Sequence, residues 1–237
     1  MKKRKDVLLL VALIIILLTI NYSFLDKTIE KFLTDEDSVF VERVIDGDTF
    51  VIENTSVRLL GINTPERGEF YYQEAKDFLE ELVLNKTVRL EYWKDRTDKY
   101  GRTLAYIFLN RENVNLKLVE EGFANYYFYG GRDKHSDALE NAWESCIENN
   151  VNLCEKSINS CASCMEIKDS KTLINSCGFG CDINNWEIKT EGRNKFIFSE
   201  KILEQGEEIL FVLELMDTGD TLFLRDVEGK LVVWGGV

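Results

Sequence analysis

The stretch Ile45-Asp46-Gly47-Asp48-Thr49-Phe50-Val51-Ile52 decides how the first half of this chain folds. Asp-Gly between two β-rich runs, residues 39–45 and 49–52, is a strong hairpin signal. Working outward, Asn54-Thr55-Ser56 makes a second turn into residues 57–62, so three short strands follow in succession. Residues 72–84 read as a helix, because Ala75, Phe78, Leu79 and Leu82 recur at helical spacing. Asn85-Lys86 breaks it, and residues 88–92 and 103–109 supply two more strands. Residues 115–121 and 136–148 read as two further helices, with Ser136 expected as an N-cap. Five strands and three helices in this order predict a small Greek-key barrel of the OB type over residues 38–150.

The whole chain has 237 residues, enough for one large domain or two small ones. It holds a single Pro and a single His, which excludes Pro-rich low-complexity readings and any two-His zinc hydrolase site. The net charge of −13 argues against broad adhesion to polyanions. Lys94, Arg96, Lys99 and Arg102 nevertheless cluster in one loop, and a local cationic cleft of that kind predicts substrate affinity that falls steeply with salt.

The chemistry gathers at strand ends. Asp48 leaves the tight turn, and Asn63-Thr64-Pro65-Glu66 closes the third strand. One carboxylate, one amide oxygen and the free main-chain carbonyl of Thr64 form a hard-oxygen set suited to Ca²⁺ rather than zinc. Glu66, just beyond, is placed to take a proton from water. Arg58 lies inside a strand and Arg102 follows Lys99-Tyr100-Gly101. Two guanidinium forks, a carboxylate base and a divalent ion suffice for phosphodiester hydrolysis, because they neutralise the charge of a phosphorane-like transition state.

IDGDTFVI, VRLLGINTPE and RTDKYGRTLAYI, in this order and followed by the VNLKLVEEGFA helix, resemble the thermonuclease (staphylococcal nuclease-like) family over residues 39–149. Taken singly, each segment has a bland reading. Asp-Gly-Asp-Thr is a common hairpin turn, Arg58 could be an outward strand residue, and KDRTDKYGR could be a solvated loop. Their co-occurrence at the family's spacing reverses that. The resemblance implies a Ca²⁺-dependent endonuclease of DNA and RNA that leaves 3′-phosphate ends. It implies Arg58, Glu66 and Arg102 as catalytic residues and Asp48, Asn63 and the Thr64 carbonyl as the calcium shell. It places Lys99 and Tyr100 near a bound phosphate. Within the aromatic run 126–129, Tyr127 and Tyr129 are the candidates for stacking on bases, while core packing remains open for the run as a whole. One departure stands out: the family position at Asn63 is often Asp. Asn keeps the oxygen and removes a charge, so activity is expected to need more Ca²⁺. A nucleic-acid-binding module with lost activity is the alternative, but such copies usually lose the arginine or glutamate positions, and here all three are present.

At the N-terminus a cationic start, residues 1–6, precedes an apolar stretch, residues 7–25. A helix of that length rises about 28 Å, close to the hydrocarbon thickness of a bilayer. No small-x-small cleavage site follows it, so an uncleaved anchor is favoured over a cleaved signal that would release a secreted protein. The positive flank would stay in the cytoplasm and put the rest outside. Residues 26–37 read as a polar juxtamembrane spacer. Cys146, Cys154, Cys161, Cys164, Cys177 and Cys181 all lie in the second half. Export favours disulfides, although Cys161-x2-Cys164 with Cys177-x3-Cys181 also fits a zinc site. The six allow 15 pairings and the spacing selects none, though Cys146 could join the two halves.

After a Cys-containing linker, residues 151–163, short strands separated by turns predict a β-sandwich over residues 164–237. CDINNWEIK, FIFSEKILEQGEEILFV and DTGDTLFLRDVEGKLV resemble the lamin-tail domain, an immunoglobulin-like sandwich with Trp186 in its core. That resemblance implies a binding or targeting module with no catalytic set. An envelope adhesion protein acting through this domain is a third reading, and retained cleavage after removal of residues 160–237 would exclude it. A monomer is expected, and the second domain's protein partner is not specified.

Overall fold

The computed structural model describes residues 38–216 and 220–236. The expected membrane-spanning stretch at residues 7–25 and its flanks lie outside the described residues, among which no helix is long and apolar enough to cross a membrane.

The chain begins with a bent run. β1 (Ser38–Phe40) pairs with β6 (Thr87–Glu91), whereas β2 (Arg43–Asp46), two residues on, pairs with β3 (Thr49–Ile52). β3 lies antiparallel to β4 (Thr55–Leu59), β4 runs parallel to β7 (Thr103–Leu109), and β7 returns antiparallel to β6. The pairings therefore come back to the run they started from, and five strands close a ring, the connectivity expected of an OB-type barrel. β8 (Glu112–Asn113) pairs with the end of β7.

The third strand ends earlier than the sequence suggests. Gly61 takes φ +72, and an added Cβ there would strike the Tyr106 hydroxyl and Leu139. The chain turns at this glycine, and β5 (Ile62–Asn63) leaves the ring to pair with β9 (Asn125–Tyr126).

Three helices pack on the barrel. α1 (Tyr72–Val83) buries Ala75, Leu79 and Val83. α2 (Val114–Glu120) is capped by Asn113, whose side chain accepts from the N–H groups of Asn115 and Leu116. α3 (Ser136–Asn149) buries Leu139, Trp143 and Ile147. Ser136 is already helical and does not cap it. Its Oγ accepts from Asp133 N at 2.8 Å and closes the preceding turn instead.

Beyond the barrel, β10 (Met165–Asp169), β11 (Thr172–Asn175) and β16 (Glu208–Leu210) form one antiparallel sheet. β13 (Glu187–Lys189), β14 (Lys195–Ile197), β17 (Thr221–Arg225) and β18 (Leu231–Gly236) form another, and β12 (Cys181–Asp182) pairs with β15 (Ile202–Leu203). Met165 and Leu173 of the first sheet share a core with Ile188, Leu222 and Leu224 of the second, around Trp186, Phe198 and Phe211. β13 starts only at Glu187, because Ile183 and Trp186 close a turn just before it through Trp186 N and Ile183 O at 3.0 Å.

The six cysteines form three disulfides: Cys146–Cys154, Cys161–Cys181 and Cys164–Cys177, with Cα separations of 5.7, 5.9 and 5.0 Å. Cys146 reaches only the linker, so its bridge closes a local loop at the end of α3 and does not join the barrel to the sheets. Packing joins them instead. Phe223 of β17 sits edge-on to Trp143 of α3 at 5.2 Å and within 6.2 Å of Tyr126. The Tyr126 hydroxyl and Thr221 Oγ1 are 3.0 Å apart in a buried hydrogen bond.

Candidate active site

Register gathers the expected residues at one rim of the barrel. Arg58 in β4 stands directly opposite Thr49 in β3 on one side and Leu104 in β7 on the other. Asp48 immediately precedes β3, and Arg102 immediately precedes β7. Both loops therefore open at the Arg58 end of the ring. The β2–β3 turn is pressed close to its neighbours: a Cβ on Gly47 would come within 2.9 Å of the Ala75 methyl and 3.0 Å of the Thr64 side chain. Only glycine lets the Asp46-Gly47-Asp48 turn lie against α1 and residue 64 together.

The centre is an ion pair. Arg58 Nη2 lies 3.0 Å from Asp48 Oδ2 and donates to Asn63 Oδ1 at 3.1 Å, while Arg58 Nη1 donates to the Leu59 carbonyl at 2.5 Å. Asp48 also accepts from Thr49 Oγ1 at 2.7 Å and from Thr64 N at 3.4 Å. Arg58, Asp48, Asn63 and Thr64 are all buried. Burial pulls the Arg58 pKa down and the Asp48 carboxylate resists, while the like charges of Arg102 and Arg193 pull it down further.

Glu66 is one-third exposed in its side chain, and its Oε1 lies 2.6 Å from Arg193 Nε. Burial raises its pKa, Arg193 opposes the rise, and the carboxylates of Asp48 and Asp46 add to it. Asp46, whose Oδ1 accepts from Gly47 N, is raised by burial and then by Asp48. Three carboxylates thus crowd one rim. A carboxylate with a raised pKa is a better proton acceptor near neutrality than an ordinary one.

Arg102 is held by Asp98, which accepts from Arg102 Nε at 2.7 Å, from Arg102 N at 2.9 Å and from Tyr100 N at 2.9 Å. Lys99 and Arg102 lie 5.2 and 5.6 Å from the ring centre of the exposed Tyr100. The aromatic run divides by alternation. Tyr126 and Phe128 stack on each other in the core, centroids 5.2 Å apart. Tyr127 and Tyr129 point the other way with rings 6.0 Å apart, and Tyr129 is largely exposed. Tyr127 is half-buried with its ring beside Gly192; burial raises its pKa and the charge of Arg58 opposes the rise. His135 lies elsewhere, against Tyr106 and 2.6 Å from Glu91, in a structural role.

The donor set suits a hard cation. Asp48 Oδ2 and Asn63 Oδ1 already converge on one positively charged atom, Arg58 Nη2, and Asp46 and Glu66 both sense the Asp48 charge. All these donors are oxygen, the preference of Ca²⁺ and Mg²⁺.

Four participants escape the sequence reading. Asp46 was visible in the Asp-Gly-Asp turn but has no second neighbour in sequence to mark it. Asp98 lies inside a loop of mixed charge. Gly192 and Arg193 lie about 130 residues from Asn63 and carry no local signal, yet Asn63 Nδ2 donates to the Gly192 carbonyl at 3.1 Å.

Paired guanidinium groups facing a carboxylate cluster on the rim of a small barrel are the parts of an enzyme that hydrolyses phosphodiesters. Residues 56–156 match the family described as staphylococcal nuclease homologue. The chain is 38% identical over 168 residues to a thermonuclease of Staphylococcus intermedius, covering 66% of this chain and 100% of that protein. It is 37% identical over 155 residues to a thermonuclease of Staphylococcus hyicus, 60% of this chain and 92% of that one. It is also 33% identical over 114 residues to an uncharacterized endonuclease of Haemophilus influenzae, 46% of this chain and 63% of that one. The chain belongs to the staphylococcal nuclease family and is a nuclease hydrolase.

Proposed function

We propose that this nuclease is a Ca²⁺-dependent endonuclease of DNA and RNA that leaves 3′-phosphate and 5′-hydroxyl ends. The supporting observation is the convergence of Asp48, Arg58 and Asn63 through one guanidinium nitrogen, beside Thr64 and with Glu66 in electrostatic reach. Asp48, Asn63 and the Thr64 carbonyl would hold Ca²⁺, which when bound supplies positive charge against the phosphate oxygens.

The chain's own residues do the rest. Glu66 takes a proton from water, and the resulting hydroxide attacks phosphorus. The bond to the 5′-oxygen breaks, and that oxygen takes up a proton from solvent. Arg58 and Arg102 oppose the charge that builds on the phosphoryl oxygens. The Leu59 carbonyl, which is not a proposed ligand of the cation, tethers Arg58, and Asp98 tethers Arg102, so both are partly fixed before substrate arrives. Tyr127 and Tyr129 offer an outward aromatic face to bases.

At the level of the whole protein, the apolar stretch at residues 7–25 would anchor the chain with its folded part outside the cytoplasm, and residues 164–237 would serve as a lamin-tail-like binding module. Digestion of plasmid DNA and of RNA by the full-length chain, in Ca²⁺ or in EGTA, tests the central reading. Cleavage is expected in Ca²⁺ alone. Glu66→Gln and Arg102→Ala should each slow it by about 10²–10³, the effect of losing roughly 3–4 kcal/mol of transition-state stabilisation. Unchanged cleavage by Glu66→Gln would remove the assigned base.

A further inference from the structure

We infer that Arg193, carried by the β13–β14 hairpin, is a third guanidinium of the nuclease site that binds a phosphate of the substrate strand. It lies outside the residues matched to the family, 56–156, and it rests on the nuclease reading above.

The first ground is position. Arg193 Nε is 2.6 Å from the Glu66 carboxylate, and its charge reaches Arg58. A group that close to the base is within reach of whatever the base acts on.

The second ground is the fixed backbone that presents it. The Gly192 carbonyl accepts from Asn63 Nδ2 at 3.1 Å, and the Glu191 carbonyl accepts from Asn125 Nδ2 at 3.0 Å. Glu191 Oε2 accepts from Phe128 N at 3.1 Å, and Glu191 N donates to Asp220 Oδ1 at 2.9 Å. Glu191 is buried. A lid that must leave for substrate to enter would not be sewn to the barrel by buried polar contacts, each costly to strand. The hairpin is a wall of the site.

The third ground is that the arginine tip, unlike its backbone, is free to change partner. The Arg193 side chain is 65% exposed, and Glu66 Oε1 on Nε is its one ion pair among the described residues. Exposed pairs of this sort are weak. A phosphate offers the terminal nitrogens a two-pronged contact that a single carboxylate oxygen does not. Exchange from Glu66 to phosphate would also free the base as the strand binds.

The test compares the wild-type full-length chain with Arg193→Ala and Arg193→Lys, using a fluorescent single-stranded oligodeoxynucleotide. Binding is read by anisotropy in EGTA across a salt series, and cleavage by steady-state kinetics in saturating Ca²⁺. Arg193→Ala should weaken binding and raise KM about tenfold with kcat within about twofold. It should flatten the slope of log affinity against log salt by about 0.7, the value for one phosphate contact on a single strand. Arg193→Lys should recover the slope.

Unchanged affinity and slope in Arg193→Ala would overturn the inference. So would a rise in kcat at constant KM, which would make Arg193 a restraint on Glu66. If the wild-type chain binds the strand but does not cut it, the catalytic reading fails while the anisotropy series still decides the role of Arg193.

Discussion

Asn63→Asp separates two jobs that one buried side chain performs. Asn63 Oδ1 accepts from Arg58, and its Nδ2 donates to the Gly192 carbonyl at 3.1 Å. Aspartate keeps the first contact and turns the second into one oxygen facing another. The added charge is attracted to Arg58 and repelled by Asp48, two effects that oppose each other around the same guanidinium. The lost donor has no such offset, because Asn63 is only 2% exposed and the Gly192 carbonyl lies in the joint between barrel and hairpin. Stranding a buried acceptor costs about 1–3 kcal/mol. For a folded part of this size that lowers Tm by roughly 2–12 °C in EGTA. In Ca²⁺ the sign should reverse. An extra ligand charge strengthens binding, and a tenfold gain, about 1.4 kcal/mol, would show as a tenfold lower Ca²⁺ concentration for half-maximal cleavage. Differential scanning calorimetry in EGTA and in Ca²⁺, paired with a Ca²⁺ titration of cleavage, reads both effects. Equal Tm in EGTA would refute the Asn63–Gly192 link, and an unchanged Ca²⁺ requirement would refute Asn63 as a ligand position.

Asp98→Ala should release Arg102 and lower kcat about 2–10-fold, the entropy of about 0.5–1.5 kcal/mol for one freed side chain, and should also lower folding stability, because the lost carboxylate accepts from the N–H groups of Tyr100 and Arg102. Thermal melts beside single-turnover cleavage would check it, and full activity would show that Asp98 does not position Arg102. Burial pushes the Glu191 carboxyl up to about 7 from 4.5, although the Phe128 N–H and Thr221 hold it down. The fold therefore prefers the protonated form, so this contribution is present in full below pH 4.5 and is lost as pH rises through 7, by up to about 3 kcal/mol. Chemical denaturation between pH 5 and 8 should show stability falling with pH, and Glu191→Gln should flatten that fall; an equally steep fall in the variant would place the titrating group elsewhere.

The barrel was legible because its signals are local. Asp46-Gly47-Asp48 sets the first hairpin, and helical spacing sets α1, which ends at Val83 within one residue of expectation. The strand β7 matches its expected bounds, Thr103–Leu109. The placing of three candidate residues follows from the same signals: Asp48, Arg58 and Arg102 sit at or beside the ends of β3, β4 and β7. What the sequence concealed depends on contacts far apart in the chain. The break at Gly61 depends on Tyr106 and Leu139 occupying the space a side chain would need. The split of the aromatic run depends on Phe223 and Trp143 packing around Tyr126, so that Tyr126 and Phe128 turn inward and Tyr127 and Tyr129 outward. Cysteine spacing likewise left 15 pairings open, and only the fold brings Cys161 to Cys181 and Cys164 to Cys177.

The relation between the two halves changes what a truncation can mean. On sequence alone, the sheets after residue 160 look separable, and retained cleavage without them would mark the barrel as the sole catalytic part. In the structure, the same cut would uncover Trp143 and Tyr126, and would take the acceptors away from Asn63 Nδ2 and Phe128 N. It would also remove Arg193 from Glu66 and both lysines, Lys189 and Lys195, from Glu69. Loss of cleavage after truncation would then follow from a damaged rim as readily as from a missing adhesion function. Point changes at the hairpin separate these causes, because Arg193 is exposed and its removal leaves every buried contact of residues 190–192 in place. The acidity of the chain fits the same view. A net charge of −13 leaves a polyanion few places to adhere, and the three arginines at one rim, two from the barrel and one from the hairpin, supply the local exception.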